Sequence, residues 1–238
     1  MFVLQLIDGT NSKKQVEFNR STAFLAWQYL YYMKDIPEYK KANLKNVSII
    51  VDDFTNENYS IGGSKGYYRI YFKYDLGEYY HLNDNQKKKE INNLYYKYLK
   101  ILFDKLELPI EPLTNIYHLI EKNNYELQIP YTKTAKSKDR KIEASVILKP
   151  EINSFIYCLI IKDVVSKERL QEVILYNTLQ GSSYFYYDVL HKIIFIDNDT
   201  IQIINKKKEI VCKYSISTNK LDIFNENNHL SEFIIGSK

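Results

Sequence analysis

Residues 192–216 read KIIFIDNDTIQIINKKKEIVCKYSI, and this stretch decides the fold class. Short apolar runs rich in Ile, Val and Phe are broken by Asp197-Asn198-Asp199 and by Asn205-Lys206-Lys207. β-Branched and aromatic residues suit a pleated, half-buried surface, and short polar turns make consecutive strands antiparallel neighbours. The pattern continues on both sides. Strands are expected over 184–190, 192–197, 200–205, 209–216 and 220–225, followed by a loop and a short docking segment at Phe233-Ile234-Ile235. One such meander is composed like a single propeller blade, but no repeat recurs elsewhere, so a propeller is rejected.

Upstream, further strands are expected over 125–131, 141–148 and 154–163. The segment 167–180 is read as a helix, because Leu170, Val173, Ile174 and Leu179 share helical spacing and Gly181 can end it. Alternation around Val173 and Leu175 also allows a strand there.

Before Asn123-Asn124 the character is different. Ile91, Leu94, Tyr95, Tyr98, Leu102 and Leu106 fall at three- and four-residue steps, which predicts a long helix near 85–106 with Asp84 as its cap. Pro109 and Pro112 stop it, and a shorter helix follows at 113–122. Nearer the start, residues 2–7 read as a strand, Gln15-Val16-Glu17-Phe18 as its return, and 22–34 as a helix capped by Asn19 or Ser21. Pro37 suits the first turn of a short helix. Val47–Val51 reads as a buried strand and 52–66 as a loop. Tyr67 to Tyr74 and 78–82 read as a hairpin turned by Asp75-Leu76-Gly77.

Helices and strands therefore cluster instead of alternating. The expected class is α+β, with mixed or antiparallel sheets, a long central helix and a C-terminal antiparallel β-meander. Two regions are expected, an α+β part at 1–124 and a β-rich part at 125–238, packed as one globular unit.

Composition bounds the function. With 238 residues, 45% of them hydrophobic, the chain can bury a core without disulfides or metal. Only 7 glycines and 5 prolines exclude collagen-like and linker-rich classes. A net charge of +4 is too mild to mark a dedicated nucleic-acid binder. The 23 tyrosines suit half-buried faces and interfaces, and compositional bias explains their number more simply than a functional array. Cys158 and Cys212 sit in apolar runs without a CxxC, which predicts buried, inert thiols. The start of the chain lacks the basic flank of a signal peptide, and the longest apolar run, 155–161, is far short of a membrane span. A cytoplasmic protein with no membrane partner is expected.

Four segments are weighed for chemistry. Gly62-Gly63-Ser64-Lys65 could contact phosphate through close backbone amides and a lysine, but a strand follows it where a P-loop needs a helix. Asp52 and Asp53 end a buried strand, where paired acids can hold a divalent metal, although Asp also favours strand-end turns. Asp197-Asn198-Asp199 lacks the remaining ligands of a calcium loop and reads as a turn. Lys133, Lys136, Lys138, Arg140 and Lys141 form the densest charge in the chain and could follow a phosphate backbone, with Tyr125 and Tyr131 to stack bases. The competing reading is a solvated hairpin loop. The histidines and serines show no metal or triad pattern.

Three functions follow in order. The first is a non-catalytic binding protein engaging another protein, as an accessory subunit or an immunity-type protein. The second is a nucleic-acid binder using 133–141. The third is a metal-dependent enzyme acting on a phosphate-containing substrate through Asp52, Asp53 and Lys65. No cofactor is expected.

Overall fold

A computed structural model describes residues 3–10, 14–52, 59–179 and 190–224 of the chain. The architecture is α+β, as the clustering of elements predicts. Two compact units divide the chain, Met1–Leu127 and Gln128–Lys238.

The N-terminal unit contains strands β1 (Val3–Asp8), β2 (Asn46–Val51), β3 (Tyr59–Ser64) and β4 (Tyr67–Phe72). Its helices are α1 (Gln15–Met33), α2 (Pro37–Lys41), α3 (Leu76–His81), α4 (Asp84–Lys105) and α5 (Glu111–Lys122). The four strands form a mixed sheet of order β1-β2-β4-β3. β1, β2 and β4 run parallel, and β3 is antiparallel to β4.

One face of this sheet is the core. Leu4, Leu6, Val47, Ile49, Val51, Ile70 and Phe72 are all buried on it. Thr22 Oγ1 of α1 donates to the Leu6 carbonyl at 2.6 Å, and the Phe72 ring lies 4.3 Å from that of Tyr98 in α4. Helices thus cover the apolar side, the solution a sheet with one hydrophobic face requires.

Five local expectations are corrected here. The segment 52–66, expected as a loop, contains strand β3 at Tyr59–Ser64, paired with β4. Gln15–Phe18 is the first turn of α1, not a return strand. Phe18, Thr22, Leu25 and Tyr29 recur at helical steps and are buried, whereas Val16, which suggested alternation, is 59% exposed. Asn19 and Ser21 are inside that helix and cap nothing. The Asn19 side chain accepts from the Asp8 amide at 2.7 Å, and the Ser21 hydroxyl donates to the Phe18 carbonyl at 2.8 Å. Residues 76–81 are helix α3, because Asp75 accepts from the Gly77 and Glu78 amides and so caps a helix instead of turning a hairpin. The long helix is capped one residue earlier than expected, by Asn83 in a reciprocal capping box with Gln86.

The C-terminal unit is built from antiparallel strands. β5 (Ile129–Pro130), β6 (Ala135–Lys136), β7 (Ile142–Pro150), β8 (Ser154–Asp163) and β9 (Arg169–Leu179) make one sheet. β10 (Lys192–Phe195), β11 (Thr200–Ile204), β12 (Ile210–Ser215) and β13 (Lys220–Ile223) make the expected meander. β9 replaces the helix expected over 167–180. Asp163 accepts from the Val165 and Ser166 amides and turns β8 directly into β9. Leu170 and Ile174, which suggested a helical stripe, stay exposed while Leu175 and Tyr176 are buried. Cross-strand pairing has overridden a short local periodicity. Residues 184–189 of the expected strand and the docking segment at 233–235 lie outside the described residues, and Leu190 is a buried bend ahead of β10. Among the described residues, no helix is long and apolar enough to cross a membrane.

Candidate functional site

Strand β4 reads Tyr67-Tyr68-Arg69-Ile70-Tyr71-Phe72. Side chains alternate across a sheet, so burying Ile70 and Phe72 against the helices turns Tyr67, Arg69 and Tyr71 to the opposite face. Pairing register extends this outward face across the sheet. Tyr67 stands in line with Asn46 and Ser64, Arg69 with Ser48, Gln5 and Gly62, and Tyr71 with Ile50, Ile7 and Ser60. Tyr67 is 58% exposed, and Arg69, Ser60, Gly62 and Ser64 are exposed as well.

A chain of polar groups crosses the middle of this face. Gln5 Nε2 donates to Ser48 Oγ at 2.8 Å, and Ser48 Oγ donates to Asn46 Oδ1 at 2.9 Å. The Asn46 amide nitrogen and the Gln5 carbonyl oxygen keep capacity to bond a ligand.

The rim is set by a two-residue hairpin turn between β3 and β4. Lys65 and Gly66 both have positive φ, 53° and 88°, as tight hairpin turns require. The Gly66 carbonyl accepts from the Lys45 and Asn46 amides at 2.8 and 2.9 Å, which ties the turn to the entry of β2. Lys45 and Lys65 are thereby held at the same end of the sheet, and Lys45 Nζ sits 5.4 Å from the Tyr67 ring centre. A Cβ on Gly66 would meet the Asn43 carbonyl at 2.4 Å, and one on Gly63 (φ 106°) the Tyr67 carbonyl at 2.1 Å. Both glycines serve the hairpin. Gly62 does not, since a Cβ there would meet nothing within 4 Å.

Together these residues line an open cleft of about 880 Å³. Its walls carry three cations, Lys45, Lys65 and Arg69, and, among the described residues, no Asp or Glu. Such a surface favours anions, because cations without neighbouring carboxylates sum to a positive potential.

No family model, curated protein or solved structure matches the chain.

The sequence-derived candidates fare differently. Gly62, Gly63, Ser64 and Lys65 do line the cleft, but as strand end and turn instead of a phosphate-cradling loop. Asp52 follows β2 at the far end of the sheet from Lys65, a separation on the order of 20 Å for a strand of this length. It therefore shares no pocket with Lys65, and Asp53 lies outside the described residues. Among the described residues, no three His, Cys, Asp or Glu side chains gather as a metal site needs.

Lys133, Lys136, Lys138, Arg140 and Lys141 are all exposed around the β6–β7 hairpin. That hairpin is organised by an acid. Asp139 accepts from the Ser137 hydroxyl at 2.7 Å and the Lys141 amide at 3.1 Å, and these bonds hold its pKa below the usual range. Lys136 is paired across the ladder with Glu143, and the Asp139 amide donates to Asn198, between Asp197 and Asp199. Tyr131 packs edge-on against Tyr157 at 5.0 Å, so its ring is engaged within the unit. Cys158 and Cys212 are free and buried, and burial pushes their thiols up to about 11 and about 12.

Sequence reasoning missed Gln5, Lys45, Asn46, Ser48, Tyr67, Arg69 and Tyr71 as members of one surface. The signal was present in β4, where Tyr, Arg and Tyr occupy one parity and Ile and Phe the other.

Proposed function

We propose that the protein is a non-catalytic binding protein that engages an anionic macromolecule on the open face of its N-terminal sheet. The observation that carries this reading is the convergence of Lys45, Lys65 and Arg69 on a cleft lined by tyrosines and amides and, among the described residues, by no carboxylate. An open cleft of this kind on a solvent-exposed sheet face suits an extended partner better than an enclosed small substrate, which pockets normally bury over most of its surface. Exposed tyrosine beside arginine is also the composition of interface anchors. The reading retains a binding protein as the first expectation. It replaces the expected protein partner with an anionic macromolecule, and it assigns the contact to the sheet, not to the 133–141 hairpin considered for nucleic acid.

Nitrogen-15 NMR of the full chain, titrated with a panel of polyanions (oligonucleotides, polyglutamate, heparin), tests it. Amide shifts are expected to concentrate at Gln5, Ser48, Gly62, Arg69 and Tyr71. Shifts confined to Ser137–Lys141, or none with any polyanion, would overturn the proposal.

A further inference from the structure

We infer that the partner of this face is single-stranded nucleic acid, an inference that rests on the binding role proposed above. Tyr67 and Tyr71 are four residues apart on β4, roughly 13 Å, with Arg69 midway between them. Ring, guanidinium, ring is the alternation a single strand needs: bases to stack on the two tyrosines and a phosphate to meet the cation between them. Lys45 and Lys65 extend the positive charge past Tyr67 at the rim. Asn46, Ser48 and Gln5 lie beside the aromatic strand and present donors and acceptors of the kind that read exposed base edges.

Two other anionic partners fit less well. A duplex hides its base faces and admits a helix or a two-stranded ribbon into its major groove, not the broad face of a four-stranded sheet. An acidic peptide would satisfy the cations but leave the tyrosine faces without a stacking partner, and extended peptides add to sheet edges through backbone bonds. Every base has a π-face and every nucleotide a charge, so a single strand matches both features at once.

The test is fluorescence anisotropy of full-length protein with fluorescein-labelled 12-nucleotide oligouridylate and oligothymidylate, a 12-base-pair duplex and labelled polyglutamate. Single strands should bind at least tenfold tighter than the duplex. With three phosphate contacts, log affinity should fall with log salt at a slope of about −2. Tyr67→Ala and Tyr71→Ala should each weaken binding by about 5- to 150-fold, the range of losing one stacked base, while Tyr71→Phe keeps most of it. Gly62→Glu places a carboxylate on the platform at a position open to a side chain. It should weaken binding at least tenfold with an unchanged melting temperature.

Failure of both oligonucleotides to bind, equal binding by Gly62→Glu, or preference for the duplex overturns the inference. If polyglutamate alone binds, and Gly62→Glu abolishes it, the nucleic-acid assignment falls while the anion-binding role of the face stands. If none of the four probes binds, both fall.

Discussion

Two cationic regions of this molecule differ in what stands beside the charge. The 133–141 hairpin collects five cations within nine residues, yet Asp139 lies at its centre and Glu143 opposite Lys136. The sheet face collects Lys45 from one stretch of chain and Lys65 and Arg69 from another, and among the described residues no carboxylate shares their cleft. Charge density along a sequence measures solvation first. Charge that converges in space without counter-charge, between aromatic rings, is what the proposed binding surface rests on.

That contrast can be broken most sharply by comparing the two faces of β4. Phe72→Ala removes a buried ring packed on Tyr98 and is expected to cost about 3–5 kcal/mol in denaturant unfolding. Tyr71→Ala, on the open face, should cost about 1 kcal/mol or less. Equal costs would mean that the outer face is built into the fold and not held free for a partner.

The glycines of the hairpin sharpen the point. Gly66→Ala forces a side chain to positive φ and against the Asn43 carbonyl, and should cost about 1–3 kcal/mol. Gly62→Ala should be neutral or stabilising by up to about 1 kcal/mol, because the position is open and glycine weakens a strand. A matching loss at Gly62 would remove the case for a preserved platform.

Charge reversal then compares the two cationic regions directly. Arg69→Glu should lower affinity for an oligonucleotide at least tenfold, about 1.4 kcal/mol. Lys136→Glu together with Lys138→Glu should change it less than threefold. The reverse ranking would return the binding site to the hairpin.

The smallest effect concerns acid. Hydrogen bonds from Ser137 and Lys141 lower the Asp139 pKa in the folded state. Its contribution to the hairpin is therefore complete above the ordinary aspartate pKa and is lost as pH falls through the lower folded value. The protection factor of the Lys141 amide, its exchange rate divided into the intrinsic rate at each pH, should fall only over that acidic range, and Asp139→Asn should abolish that dependence. A protection factor that already falls between pH 7 and 5 would contradict the role given to Asp139.

The sequence made some elements plain and others not. Helix α4 was legible because its apolar stripe, Ile91 to Leu106, runs for about four turns between a cap and two prolines. The meander was legible because each strand ends in a polar turn. β9 was not: four apolar residues at helical spacing are outweighed by a ladder with β8 that no local window displays. The first turn of α1 was misread for a related reason, since Val16 and Phe18 alternate over too few residues to separate a period of 2 from one of 3.6.

Short-range patterning therefore determined, from sequence alone, the α+β class, the long capped helix, the antiparallel meander and the solvated character of the lysine hairpin. Each depends on neighbours within a few residues, and composition and turn chemistry record those. Tertiary structure alone decided that Lys45, Lys65 and Arg69 share one cleft while Asp52 stands at the opposite end of the sheet. Strand order and register set those distances, and they arise from hydrogen bonds between segments far apart in the chain, which no local pattern encodes.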